Sequence, residues 1–233
     1  DFTLDELRDS YDAVFVGIGL AASNELGLRR DSMPGVESAI DYIADIRQTH
    51  DLTRLPIGRR VVVIGGGMTA IDIAVQSKRL GAETVDIVYR RGPEQMGASQ
   101  YEQDLAKKDG VVIHHWARPL ELCGPDHVST IRFEHTALDE NGRLVSNGDQ
   151  FELTADTVFR AIGQALDTTV LGEDNAGLQL NHNRIVVDDH GRTSLPDVWA
   201  GGDCVAPGDD LTVTAVQQGK VAAMDIDRFL REQ

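Results

Sequence analysis

Cysteine is scarce in this 233-residue chain: Cys123 and Cys204, 81 positions apart, are the only two. They make no Cys-x-x-Cys redox pair and no zinc or iron–sulfur ligand set, so dithiol exchange at this chain's own cysteines is excluded. Both read as small packing residues, and a reducing cytoplasm is the simplest compartment. Long apolar runs are missing as well, and none reaches the length of a membrane span. No signal-like stretch follows Asp1, although a trimmed start would read the same way. Positive charge is in deficit, with 22 Lys and Arg against 38 Asp and Glu and a formal net charge of −16. Nucleic acids and anionic membranes are recognised by clustered cations, so neither is expected as a partner.

What is present is an ordinary globular composition, 41% hydrophobic and 26% charged, with length for one large core or two modest ones. The strongest local signal is the run Arg60-Val61-Val62-Val63-Ile64-Gly65-Gly66-Gly67-Met68-Thr69-Ala70. A continuous apolar strand enters a glycine turn, and a helix leaves it. Gly65 permits the tight turn, Gly67 lets a pyrophosphate approach the backbone, and Ala70 lets the helix pack close to the strand. Gly66, Met68 and Thr69 complete the turn and the helix N-terminus, whose N–H groups and positive dipole end suit phosphate. With strand before and helix after, this is a dinucleotide fingerprint rather than a plain structural turn.

The end of the next strand selects the nicotinamide. An NAD site places Asp or Glu there to accept from the ribose hydroxyls. This chain has Tyr89-Arg90-Arg91, with Arg90 25 positions after Gly65. Two guanidinium groups suit the additional 2′-phosphate of NADP, with NAD as the alternative cofactor and a solvated surface pair as the structural alternative. Asp86 starts that strand and is expected to point away from the ribose end.

Along the chain, Thr3 and Glu6 form a capping box for a short helix to about Asp9, and Tyr11 to Val16 reads as a strand. Residues 20 to 57 look like a connector, with a helix from about Glu37 to Thr49. Further helices are expected over Met68 to Leu80, Gln100 to Lys108 and Thr214 to Leu230. Further strands are expected over Thr84 to Tyr89, Val111 to His115, Thr157 to Ile162, Arg184 to Val187 and Val198 to Ala200. Thr130 to Thr136 and Arg143 to Val145 form a hairpin near Asn141-Gly142, and Phe151 to Leu153 add a third strand. An internal echo matches Asp12-Ala-Val-Phe-Val-Gly-Ile-Gly19 to Asp156-Thr-Val-Phe-Arg-Ala-Ile-Gly163 at five of eight places. Both copies are strands ending in Ile-Gly, and they flank the glycine fingerprint.

A second signature is Thr193-Ser194-Leu195-Pro196-Asp197-Val198-Trp199-Ala200-Gly201-Gly202-Asp203. It resembles the flavin-closing pattern of two-dinucleotide-domain flavoproteins. Taken with the glycine fingerprint and the paired Ile-Gly strands, the whole chain resembles the glutamate synthase small-subunit family of FAD/NAD(P) oxidoreductases. Tyr89-Arg90-Arg91 followed by Glu94-Gln-Met-Gly-Ala98 and Tyr101-Glu102 looks nearest to its bacterial dihydropyrimidine dehydrogenase branch. The resemblance implies an α/β fold, a Rossmann-like NAD(P)-binding domain inserted in a partial FAD-binding domain. It divides the chain into an FAD-domain fragment at 1–20, a connector at 21–55, the NAD(P) domain at 56–163 and the C-terminal part of the FAD domain at 164–233.

The resemblance also assigns residues. Asp203 would bond the ribityl and pyrophosphate region of FAD. Gly202 would admit that cofactor, and Thr212 and Val213 would open the helix aimed at the flavin ring. Gly17, Gly19 and Gly163 would sit at the two crossovers. Leu166 stands where the family commonly has Pro, and Met68 where many relatives carry Asn or Asp. The family's first glycine fingerprint, for the ADP half of FAD, is not found ahead of Arg60, so the chain reads as the back two-thirds of a longer parent in which FAD is complete. Hydride would pass from NADPH to FAD and electrons onward to an iron–sulfur segment or partner subunit. The alternatives are a non-catalytic NADP-binding module and a thioredoxin-reductase-like enzyme, the latter opposed by the lack of Cys-x-x-Cys. No general acid or base is assigned. His114 and His115 adjoin in a strand and so face opposite ways, the remaining histidines lack ligand spacing, and Asp209-Asp210 reads as a solvated loop.

Overall fold

The computed structural model describes residues 2–172, 177–206 and 211–232. From the N-terminus come helix α1 (Leu4–Ser10), strands β1 (Val14–Val16), β2 (Ala22–Ser23) and β3 (Val36–Ser38), helix α2 (Ala39–Gln48), strand β4 (Arg60–Gly65), helix α3 (Met68–Arg79) and strand β5 (Thr84–Tyr89). Helix α4 (Gln100–Lys108) follows, then strands β6 (Val112–His115), β7 (Ala117–Cys123), β8 (Thr130–Leu138), β9 (Leu144–Thr154) and β10 (Thr157–Ala161). The short strands β11 (Gln164–Ala165), β12 (Leu180–Asn181), β13 (Arg184–Val186), β14 (Val198–Ala200) and β15 (Val205–Ala206) lead to the closing helix α5 (Thr212–Arg231). Two compact units result: Ser23–Gly163, and Asp1–Ala22 joined with Gln164–Gln233. The chain passes from one to the other three residues after Gly19 and returns directly after Gly163.

The inserted unit is built on a parallel sheet of order β3-β10-β4-β5-β6. The run Val61–Ile64 makes this possible because it is apolar on both faces. Val61 and Val63 enter one core with Ile71 and Ala74 of α3 and Ile43 of α2. Val62 and Ile64 enter the other, with Ile131 and Phe133 of β8. That second face is covered by an antiparallel sheet, β7-β8-β9. Helix α4 starts at a complete capping box, Ser99 with Glu102.

Three expectations are corrected. Residues 21–55 are not a separate connector. They supply β3, which pairs with β10, and α2, whose Ala39, Tyr42 and Ile43 enter the core. Glu37 belongs to that strand, not to the helix. Ser38, extended at φ −76 and ψ 125, accepts from the Asp41 N–H and sets the helix start at Ala39. Phe151 to Leu153 are no third strand of their own but the far half of β9. That strand continues through a bulge opposite Glu134–Thr136, with Gly148 at φ +91. Strand β7 carries no strand signal in the sequence because Pro119 lies inside it. Proline lacks the ladder N–H, and the pairing register shifts between Pro119 and Glu121.

The other unit pairs β1 with β14 in parallel and β13 with β12 and β15. Its core holds Leu4, Val14, Ile185, Val198 and Val205. Arg8 of α1 grips Asp197 through Nε and Nη2 at 2.9–3.1 Å. Trp199, fully buried, donates its indole N–H to Asp225 of α5 at 2.9 Å. Arg192 pairs with the same carboxylate at 2.5 Å and lies 5.0 Å from the Trp199 ring centroid. Burial pushes the Asp225 carboxyl up, but the Trp199 and Arg192 bonds more than offset this and hold it below its ordinary range. Among the described residues no helix is long and apolar enough to cross a membrane.

Candidate functional site

The three glycines at the end of β4 differ in what a side chain would meet there. Gly65 has φ +150, and a Cβ there would overlap the Ala161 carbonyl of the neighbouring β10. A Cβ on Gly66 would run into the Tyr89 ring. Gly67 is the N-cap of α3, at φ −95 and ψ −175, and a Cβ there would meet nothing within 4 Å. No side chain caps this helix start. The helix start lies on a cavity wall, at Gly66, Gly67 and Thr69, with the positive end of the dipole behind it, which suits an anion. Ala70 is fully buried against the sheet, so its role is close packing.

The turn opens into a cavity of about 690 Å³, within the range of small-molecule sites. Gly65, Gly66, Gly67 and Thr69 line one side, Tyr89 and Arg90 the end of β5, and Gly163 the end of β10. Arg90 is exposed, and among the described residues its guanidinium has no partner; its backbone carbonyl accepts from Thr136 Oγ1 at 2.8 Å. Arg91 is exposed and outside the lining, and its carbonyl accepts from the Trp116 N–H. Met68, about half exposed at 53%, also stands outside the lining. Asp86 is bonded to His114 at 2.7 Å and does not line the cavity. One carboxylate, Glu25, lines the cavity beside Asn24, whose backbone N–H donates to the Gly163 carbonyl at 3.2 Å.

Several residues here escaped sequence reasoning. The Tyr89 hydroxyl donates to the Gln95 carbonyl at 2.5 Å, and the Ala98 N–H donates to the Gly66 carbonyl at 3.1 Å. Residues 92–99 thus form a strap tied to the glycine turn, with Gly97 on the cavity wall. Arg118 of β7 lines the cavity and donates through Nε to Glu134 of β8. The other oxygen of Glu134 accepts from Ser146 at 2.6 Å. The Ser146 bond, with help from Arg118, holds this carboxyl below its ordinary range against the opposing effect of burial. An aromatic at the strand end and an arginine before a proline were the only signals in the sequence.

In the other unit, Gly17 and Gly19 follow β1, and a short strand rather than a helix comes next, so they offer no helix N-terminus. Gly19 and Gly202 have φ +63 and +83. The Gly202 N–H donates to Gln218 at 2.7 Å, fixing the loop onto α5. The Asp203 carboxylate has no partner among the described residues. Thr212 and Val213, both exposed, begin α5, whose start is also without a side-chain cap. Burial pushes the Cys204 thiol up, and its sulfur sits 3.3 Å from the Gly201 carbonyl, a packing position. Asp209 and Asp210 lie outside the described residues. Among the described residues no group of three His, Cys, Asp or Glu is placed to hold a metal. His114 and His115 separate as adjacent strand residues must: His114 bonds Asp86, and burial pushes His115 down.

A glycine turn into an uncapped helix on a parallel sheet, inserted into a second unit with its own glycine–aspartate loop, defines a class. The family model for pyridine nucleotide-disulphide oxidoreductases matches residues 2–219, and the chain belongs to that family. It is 35% identical over 99% of its length to the glutamate synthase [NADPH] small chain of Escherichia coli, covering 53% of that protein. It is 35% identical over its full length to the NADP(+)-dependent formate dehydrogenase subunit beta of Moorella thermoacetica, covering 34% of it. The chain thus spans about a third to a half of the length of these relatives. Among solved structures, FprA of Mycobacterium tuberculosis in complex with NADPH shares the fold at TM-score 0.73, with 21% identity, 98% of this chain and 66% of that one covered.

Proposed function

We propose that this chain carries the NADP-binding part of a flavin-dependent NAD(P)H oxidoreductase together with the closing part of its FAD site. The observation that carries this reading is Gly67 at the uncapped start of α3, opening into a cavity whose β5 edge ends in the unpartnered cation Arg90. The nucleotide diphosphate fits against Gly66, Gly67 and the N–H groups of Met68 and Thr69. Arg90 is placed for the 2′-phosphate of NADP, and Arg91 adds to the field. No carboxylate ends β5 to accept from a free ribose hydroxyl, which favours NADP over NAD.

On the flavin side, Asp203 would bond the ribityl chain, and the α5 start at Thr212 and Val213 would favour negative charge on the reduced ring. Gly17, Gly19, Gly163 and Gly202 let the backbone pass close to the cofactors. When bound, the nicotinamide supplies a hydride to the flavin. The residues of this chain position the partners and exclude water, and none is given an acid–base role. Delivery of electrons to an iron–sulfur segment or partner subunit, in the cytoplasm, completes the reading. It is supported by two relatives whose names make them a subunit beta and a small chain. The terminal substrate, whether of glutamate synthesis or of pyrimidine reduction, belongs to that partner.

A second reading, a nucleotide-binding module without a working flavin site, is favoured by one observation: Gly17 and Gly19, after β1, run on to the short strand β2 and not to a helix N-terminus. Titration calorimetry with NADPH and NADH, followed by assay of NADPH oxidation with added FAD and an artificial acceptor, separates the two. Binding with flavin-dependent oxidation supports the first. Binding without oxidation, even beside a relative's N-terminal segment, supports the second. Failure to bind either nucleotide ends both.

A further inference from the structure

We infer that Arg118 is the platform on which the adenine ring of the nucleotide stacks, its guanidinium plane held in place by Glu134 and Ser146. This rests on the nucleotide-binding reading above and adds a base-recognition residue to it.

Two cations line the cavity, Arg90 and Arg118, and they differ electrically. Arg90 is exposed and unpartnered, a free charge. Arg118 has already spent its charge on Glu134, a residue only 7% exposed whose second oxygen is occupied by Ser146. Arg118 and Glu134 are direct cross-strand partners in β7 and β8, so the pair is built into the sheet rather than formed between two mobile side chains. A phosphate brought to Arg118 would meet a guanidinium whose charge is already offset by the Glu134 carboxylate, and the attraction would be weakened. A neutral aromatic base suffers no such cancellation. Guanidinium is planar and weakly hydrated, and it stacks on aromatic faces.

The surroundings agree. Ala117 and Pro119 flank Arg118 on the same wall, and Leu144 of β9 adds further apolar surface. Stacking needs a plate that does not swing away. Anchoring at Nε by Glu134, itself locked by Ser146, provides one without covering the guanidinium face. The division of labour is therefore Arg90 for phosphate and Arg118 for base.

The test is calorimetric titration of the whole chain with adenosine 5′-diphosphate, adenosine 2′,5′-bisphosphate and nicotinamide mononucleotide, on wild type, Arg118→Ala, Arg118→Lys and Arg90→Ala, at two salt concentrations. Lysine keeps the charge and the pairing with Glu134 but loses the plane. Both Arg118 variants are expected to weaken the two adenine nucleotides by the same factor, about five- to tenfold. Nicotinamide mononucleotide binding and the salt dependence should stay unchanged. Arg90→Ala is expected to weaken the bisphosphate alone. Wild-type affinity in Arg118→Lys, or a loss confined to the bisphosphate, would make Arg118 a phosphate ligand and overturn the inference. Unchanged affinity in Arg118→Ala would remove it from the site altogether. A wild-type chain that binds neither adenine nucleotide would bring down the nucleotide reading as well, a result distinct from the others.

Discussion

Asp225 accepts the indole N–H of Trp199 at 2.9 Å from a position only 4% exposed, and Arg192 closes on the same carboxylate. Helix α5 is thereby fastened to β14 by a buried charge rather than by apolar contact alone. Such a carboxylate must stay ionised for the fastening to hold.

The first prediction concerns acid. The folded Asp225 and Asp197 carboxyls are both held below their ordinary value, Asp197 chiefly by its bonds from Arg8. A depressed folded value means that the unfolded chain binds protons first. The stability contributed is therefore complete above an unfolded value of about 3.9 and is lost as pH falls through that value toward the folded one. Urea unfolding followed by Trp fluorescence should show stability falling below about pH 4. Asp225→Asn should lower stability by about 3 kcal/mol at neutral pH and flatten the acid limb. An acid limb identical in variant and wild type would refute this account.

The second separates folding from binding within one turn. Gly65→Ala places a Cβ on the Ala161 carbonyl at positive φ and should cost about 2 kcal/mol or more, seen as a lowered thermal midpoint. Gly67→Ala meets no protein atom, so the midpoint should hold while NADPH affinity falls about tenfold. Equal effects of the two substitutions on both readouts would contradict the assignment.

The third concerns nucleotide choice. Removing the guanidinium in Arg90→Ala should cost about 1.5–3 kcal/mol of NADPH binding and leave NADH nearly unchanged. If calorimetry gives equal wild-type affinities for the two nucleotides, unaltered by the substitution, the preference for NADP is wrong.

The fourth concerns the flavin. On the proposed reading Asp203 and the α5 start face the ribityl chain and ring, while Gly17 and Gly19 lead into a short strand and give the adenosine side no helix N-terminus. The isolated chain should purify colourless or hold FAD weakly, and should oxidise NADPH poorly by itself. Stoichiometric FAD absorbance in the purified chain would show the site to be complete without a further segment.

Much of the fold was legible because its signals are local. The run Val61–Ile64 is apolar at every position, Thr3 with Glu6 and Asn141 with Gly142 are chemically specific, and β5 and α4 have the bounds that periodicity implies. What failed depended on partners distant in sequence. Strand β3 exists because β10 offers a free edge, which nothing near Val36 announces. Strand β7 tolerates Pro119 because a register shift absorbs the missing donor. The same holds for the site. Gly65, Gly67 and Arg90 could be placed by spacing, whereas Arg118 reaches the cavity only through the β7–β8 pairing, and Tyr89 matters because its ring fills the space above Gly66.

The hydrogen bond from Asn24 to Gly163 has a consequence of its own. It ties the first residues of the inserted unit to its last, so the segment leaves and rejoins the chain at a single spot. A segment with that geometry is a cassette. It can be excised with a short graft across the gap, given new termini in a surface turn such as Asn141-Gly142, or exchanged whole for another nucleotide module. Recombination could therefore change which nucleotide such a protein reads without redrawing the unit that receives it.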